Sequence, residues 1–250
     1  MLDQEMIRVK VTGDFACFTR PDFKVERMTY PCMTPSSARG ILDSILWKPE
    51  FQWYIRRILV LKPVKFFSIK RNEITAKQGG RIIEIDAIDI RGKPIFRTQR
   101  NSIILRDVAY VIEASVYQKN IDTKNSPKKY VEMARRRIHK GQCYRRPFLG
   151  TREFAAEFYE PDSNDMPINE SIPIGSMLFD IFYDEIGKPS PIFFYDVAIV
   201  NGVLDCTVKE NDVVMESSHK RPPMDSEVSA ILYDFNQKEE QEAQMEALHD

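Results

Sequence analysis

The 250 residues, 43% hydrophobic and 29% charged, read as a soluble globular chain with room for one large or two modest domains. No run approaches the roughly 18 to 20 uncharged apolar residues that a membrane-spanning helix needs. Residues 1–10, with Asp3, Glu5 and Arg8, have no signal-peptide core, so a cytoplasmic protein without a membrane partner is expected. Cys17, Cys32, Cys143 and Cys206 lie far apart and form no Cys-x-x-Cys pair, and the three histidines (His139, His219, His249) do not cluster. A disulfide framework and a His/Cys metal centre are therefore both disfavoured, and no cofactor is expected.

In chain order, residues 6–11 and 14–18 are rich in β-branched and aromatic side chains, predicting a first strand broken near Gly13. Thr34-Pro35-Ser36-Ser37 opens a helix, with Thr34 as N-cap and Pro35 at the first helical position. Ala38, Ile41, Leu42, Ile45 and Leu46 recur at helical spacing as one buried face, and Lys48-Pro49 ends it. Residues 54–61 and 64–69 read as strands either side of Lys62-Pro63. Residues 82–90 alternate, Arg91-Gly92-Lys93-Pro94 turns the chain, and residues 95–104 could pair back as a hairpin. A strand follows over 108–117, then a second helix from Ser126-Pro127 to about Lys140, stopped by Gly141.

That order predicts an α+β fold, a ferredoxin-like (RNA-recognition-type) domain with helices on one face of an antiparallel sheet and with a β-hairpin. Beyond Gly150 the pattern turns to strands at 153–159, 176–183, 192–200 and 203–208, the last two joined by Asn201-Gly202, a strong hairpin signal. The expected organisation is residues 1–150 as the ferredoxin-like domain and 151–215 as a small antiparallel β domain. Residues 216–250 are expected to form an acidic, partly helical tail, Gln/Glu-rich from Asn236.

The net charge of −1 conceals its distribution. Residues 1–118 hold 20 Lys and Arg against 13 Asp and Glu, residues 119–152 hold 11 against 2, and residues 153–250 hold 5 against 22. Such segregation points to an anionic partner for the basic part, and clustered cations on a phosphate backbone gain from counterion release. The plainer alternative is that the two parts pair with each other, although surface ion pairs are weak and need no segregation.

Gly-rich phosphate loops, a Rossmann fingerprint, His-Glu-x-x-His and Gly-x-Ser-x-Gly are all missing from the sequence. What stands out is the second helix. Lys128 and Lys129 occupy its first turn, where the macrodipole disfavours cations by roughly 0.3 to 1 kcal/mol each, so they suggest a phosphate cradle. Arg135, Arg136 and Arg137 follow, and then Arg145 and Arg146 beside Tyr144 and Phe148, a composition suited to RNA backbone and base stacking. A solvated helix face is the plain alternative for the arginines. Tyr130 shares helical spacing with Met133, Ala134 and Ile138, so both core and site readings stand for it.

Gly13-Asp14-Phe15-Ala16-Cys17-Phe18-Thr19-Arg20-Pro21, residues 30–39, Trp47-Lys48-Pro49, residues 135–141 and Phe148-Leu149-Gly150-Thr151-Arg152-Glu153-Phe154 closely resemble the CRISPR-associated Cas-five family, Dvulg type, of subtype I-C. Pro191-Ile192-Phe193-Phe194 and Asn201-Gly202-Val203 sit where that family has its C-terminal sheet, so the resemblance runs to about residue 205. It implies metal-independent cleavage of CRISPR repeat RNA through 2′-hydroxyl attack, leaving a 2′,3′-cyclic phosphate. Retention of the 5′ handle of the crRNA within the Cascade complex, beside its other subunits, is implied as well. The basic surface would also admit double-stranded DNA.

The family usually carries Tyr or His before the Trp-Lys-Pro-like segment and a Lys-His pair opening the second helix. This sequence has Leu46 in the first place and Lys129-Tyr130 in the second. The resemblance thus makes Lys129 and Tyr130 the catalytic candidates. Lys48, Lys128, Arg135, Arg136, Arg137, Arg145 and Arg146 are the RNA-binding ones. A subunit that holds the handle without cutting is the alternative.

Overall fold

The computed structural model describes residues 6–23, 25–75, 88, 91–93, 95–118, 126–183 and 189–207. The first strand, β1 (Met6–Ala16), runs unbroken through Gly13. A Cβ at Gly13 would lie 2.4 Å from Leu149 Cδ1, so this glycine admits a neighbouring side chain rather than turning the chain. The first helix, α1 (Pro35–Ile45), starts as expected: Thr34 is extended and its Oγ1 accepts the Ser37 N–H at 3.2 Å. It stops one turn before Pro49, where Leu46 turns extended while its N–H still reaches Leu42 O at 2.8 Å.

Strand β2 (Phe51–Val60) carries a bulge between Ile55 and Arg57, which shifts its inward phase. Phe51, Trp53 and Ile55 before it and Ile58 and Val60 after it consequently join the same core. Strand β3 (Phe66–Ile74) precedes β4 (Arg97–Gln118), a single strand of 22 residues where two had been expected. The first half of β4 pairs with β3, Phe66 opposite Leu105 and Ile74 opposite Arg97, and its second half lies between β1 and β2. Of the anticipated strand over 82–90, only Ile88 is among the described residues.

The second helix, α2 (Pro127–His139), begins after Ser126 and gives way at Lys140 to Gly141, whose φ of 62° continues into the loop. The predicted strand at 153–159 shrinks to β5 (Glu157–Tyr159), because the Phe154 N–H turns back to Thr151 O at 3.1 Å. Strands β6 (Ile172–Tyr183) and β7 (Pro189–Val200) form a long antiparallel pair, and the Asn201-Gly202 turn returns β8 (Val203–Asp205). Both turn residues have positive φ, 49° and 75°, as a two-residue hairpin requires. Val208 and residues 216–250 lie outside the described residues.

Among the described residues the result is mostly antiparallel sheet with two α-helices. The strands run β5-β1-β4-β2-β8-β7-β6 in one eight-stranded sheet, with β3 on the free half of β4. The core gathers Ile7, Val9 and Val11 of β1, Tyr110, Ile112 and Ala114 of β4, the inward side of β2 and the apolar faces of both helices. Ile41, Leu42, Ile45 and Leu46 are at most 1% exposed, each contributing about 1.5–3 kcal/mol by burial. Arg39 of α1 grips Asp180 of β6 through two bonds, 3.0 and 2.6 Å, fastening the helix to the far strands. Glu113, 4% exposed, lies between Arg8 (3.0 Å) and Arg57 (2.7 Å), which compensate its buried charge. Among the described residues no helix is long and apolar enough to cross a membrane.

Candidate nucleic-acid interface

The last turn of an α-helix leaves carbonyls without intrahelical partners. At the end of α1, α2 and the segment after it supply them. Ser44 O accepts the N–H of Tyr144 (2.8 Å) and of Arg145 (3.2 Å), and Ile45 O accepts Arg137 Nη1 at 2.6 Å. A cation suits this negative helix end. Leu46 is fully buried, and its carbonyl accepts Trp53 Nε1 at 2.9 Å. The next residue faces outward: Trp47 is 58% exposed, and Lys48 is exposed beside it. Tyr144, 78% exposed, and Arg145, whose guanidinium lies 5.9 Å from the Tyr144 ring centre, project from the docked loop.

The first turn of α2 sits by the start of β2. Lys128 and Lys129 are exposed there, in the positive end of the helix. Tyr130 points the other way. Its ring is 3% exposed and 4.5 Å from that of Phe51, which meets Trp53 edge-on at 5.0 Å. Phe51 follows Lys48 by three residues, so the chain that carries Lys48 and the turn that carries Lys129 converge.

The other arginines divide by partner. Arg135 donates from Nη2 to Met6 O at 2.8 Å, Arg137 caps α1, and Arg146 pairs with Glu157 of β5. Arg136 is exposed and makes no side-chain hydrogen bond or ion pair among the described residues. His139, the one histidine described, contacts Glu160 at 3.2 Å and stands ten residues, about 15 Å, along the helix from Lys129. Burial pushes the Cys32 thiol up to about 12, which makes it a poor nucleophile, whereas Cys143 is exposed next to Tyr144. Among the described residues no group of three His, Cys, Asp or Glu could hold a metal ion.

Sequence reasoning did not single out Trp47, because an apolar pattern weighs it like Leu46, and the expected helix runs on to Lys48-Pro49. It also passed over the β3–β4 arm, where Phe67 stacks on Phe15 at 5.9 Å with Arg106 over its ring.

Residues 6–170 match the family model for CRISPR-associated protein (Cas_Cas5) of the Cas5d type. The chain belongs to the Cas5 family. A Cas5d relative from Thermus thermophilus, named CRISPR pre-crRNA endoribonuclease Cas5d, is 43% identical over 192 residues, covering 75% of this chain and 78% of its own. One of the same name from Mannheimia succiniciproducens is 41% identical over 213 residues, covering 80% and 93%. A crystal structure of a CRISPR-associated protein shares the fold, with a TM-score of 0.57 at 23% identity over 80% of this chain and 90% of that one. In this Cas5 chain the Phe148-Leu149-Gly150 segment is fixed by geometry. Gly150 has φ 84°, a Cβ there would lie 2.0 Å from Cys17 O, and Leu149 O accepts the Cys17 N–H at 3.0 Å.

Proposed function

We propose that this protein is a CRISPR pre-crRNA endoribonuclease, which cuts repeat RNA without a metal and keeps the 5′ handle as a subunit of a subtype I-C Cascade complex. The carrying observation is 41% identity to a protein of that name, matched over 93% of its length. Its RNA partner is the CRISPR repeat and the crRNA made from it, and its protein partners are the other Cascade subunits. Double-stranded DNA is a further ligand that the same cations admit.

In this reaction the 2′-oxygen attacks the adjacent phosphorus and the bond to the 5′-oxygen breaks. The products are a 2′,3′-cyclic phosphate and a 5′-hydroxyl. The 2′-hydroxyl proton leaves to a base, and a proton arrives on the departing oxygen. Lys129, with the N–H donors of the first turn of α2, stabilises charge on the phosphate. Tyr130 is assigned the proton transfer through its hydroxyl, with its ring held by Phe51. Lys48, Lys128, Arg136 and Arg145 hold the backbone. Arg135, Arg137 and Arg146, engaged by Met6 O, Ile45 O and Glu157, steady the surface that presents them, and in-line positioning of the 2′-hydroxyl supplies much of the rate.

Two observations favour a second reading, a handle-binding subunit that does not cut. Leu46 is fully buried and has no proton to transfer, and Tyr130 is only 3% exposed. Repeat RNA incubated with the protein in EDTA, beside RNA carrying one 2′-deoxy substitution at the cut, separates the readings. Cleavage abolished by the 2′-deoxy is the result expected of the enzyme. Tight binding without cleavage leaves the handle-binding subunit. A Tyr130→Phe variant keeps the ring and removes the hydroxyl; undiminished cleavage by it removes the proton-transfer role.

The strand order β5-β1-β4-β2, with α1 after β1 and α2 after β4, supports reading the first part as a ferredoxin-like unit. On that reading residues 1–150 form the RNA-processing domain, 151–215 the small β domain and 216–250 the acidic tail. Strand β5 reaches back across the boundary to β1. The protein acts in the cytoplasm, where its RNA substrate is made.

A further inference from the structure

We infer that Trp47 and Tyr144 form a paired platform on which unpaired nucleobases of the bound RNA stack, a role that rests on the RNA-processing reading above. The two side chains come from segments almost a hundred residues apart, yet both are anchored at the end of α1. Tyr144 is held by its N–H on Ser44 O at 2.8 Å, and Trp47 follows Ser44 by three residues. Burial of Leu46 and the hydrogen bond from Trp53 to its carbonyl fix the chain immediately before Trp47. Neither ring serves the core, at 58% and 78% exposed, so packing does not account for these bulky aromatics.

Their surroundings select the ligand. Lys48 adjoins Trp47 and Arg145 leans over Tyr144, so a base stacked on either ring brings its phosphate towards a cation. A protein partner docking through two aromatics would more often meet an apolar surround with charges excluded from its centre. Aromatic rings flanked by cations are the construction used for unstacked single-stranded bases.

The sequence offers a direct reporter, because its second tryptophan, Trp53, is 1% exposed and Trp47 is the accessible one. Full-length protein is titrated with its own repeat RNA while tryptophan emission and affinity are followed across a salt series. The expected result is quenching of Trp47 emission by RNA and protection from acrylamide, both lost in Trp47→Phe. Trp47→Ala and Tyr144→Ala each weaken affinity roughly 5- to 150-fold, the worth of one stacked base. Trp47→Phe retains most of the affinity, and the salt slope stays that of the wild type, since stacking releases no counterions. Abasic substitution at the contacted nucleotide weakens wild-type binding and leaves Trp47→Ala with no additional loss.

Wild-type binding with unmoved emission and full affinity in both alanine variants overturns the platform and leaves the processing reading intact. Emission that responds to another Cascade subunit without RNA also overturns it, as a protein anchor. Absence of any RNA binding by the wild type sinks both.

Discussion

Adjacent arginines on α2 are predicted to respond oppositely to the same substitution. Arg137 is committed to the fold, since its Nη1 lies 2.6 Å from Ile45 O, at the negative end of α1, in a partly buried setting. A hydrogen bond from a charged donor contributes about 1.5–3 kcal/mol. For a chain of this size that converts to a fall in melting temperature of roughly 3–12 °C in Arg137→Ala. Arg136 points to solvent and makes no such bond among the described residues, so Arg136→Ala is expected to melt with the wild type. Its effect appears in RNA binding: the slope of log affinity against log salt shrinks by about 0.7, the share of one single-strand phosphate contact. Calorimetry and filter binding at several salt concentrations give both quantities from the same preparations. An unchanged melting temperature for Arg137→Ala together with a smaller salt slope would refute the division, for it would mean that Arg137 leaves Ile45 for the RNA.

Other expectations follow from the same geometry. Gly150→Ala forces a side chain into positive φ and against Cys17 O, and should cost about 2–5 kcal/mol in urea titration; a loss below about 1 kcal/mol would show that the loop relaxes. Native protein should react with a thiol reagent at Cys143 alone, as Cys17, Cys32 and Cys206 are buried, and repeat RNA should slow that reaction; rapid labelling of a second thiol would contradict the burial. Burial pushes the Asp165 carboxyl up, but the Lys10 ammonium, the Asp162 N–H and Arg8 outweigh it and hold it below its ordinary value. Stability from this carboxylate is therefore complete above about pH 4 and fades as the pH falls through the lowered folded value. Asp165→Asn should be less stable than wild type at pH 7, with the difference closing in strong acid; a constant gap would exclude the carboxylate as its source.

Local signals carried the helices. Thr34-Pro35 and Ser126-Pro127 mark both starts and Gly141 marks an end, since caps and φ preferences act within a few residues. The strands were legible in place but not in extent. Arg106-Asp107 reads as a polar break, yet β4 passes straight through it, with Asp107 at φ 54° and its carboxylate on Lys62. The bulge between Ile55 and Arg57 leaves no mark in composition, because it is set by which residues of β4 lie opposite.

For the candidate site the same division has a chemical consequence. The sequence displays the type of every cation but not the acceptor that claims it: a remote backbone carbonyl for two of them, Met6 O for Arg135 and Ile45 O for Arg137, and the Glu157 carboxylate for Arg146. An arginine so placed on α2 fastens that helix to its neighbours, Arg135 to β1 and Arg137 to the end of α1, rather than meeting a phosphate. A lysine in the first turn of α2 stands where helix donors already face an anion. Counting basic residues therefore overstates the phosphate contacts. The salt slope of binding should report fewer than the nine cationic and phenolic candidates, led by Lys48, Lys128, Lys129, Arg136 and Arg145. A slope that required all the arginines would mean that Arg135 and Arg137 exchange their carbonyls for phosphates when RNA binds.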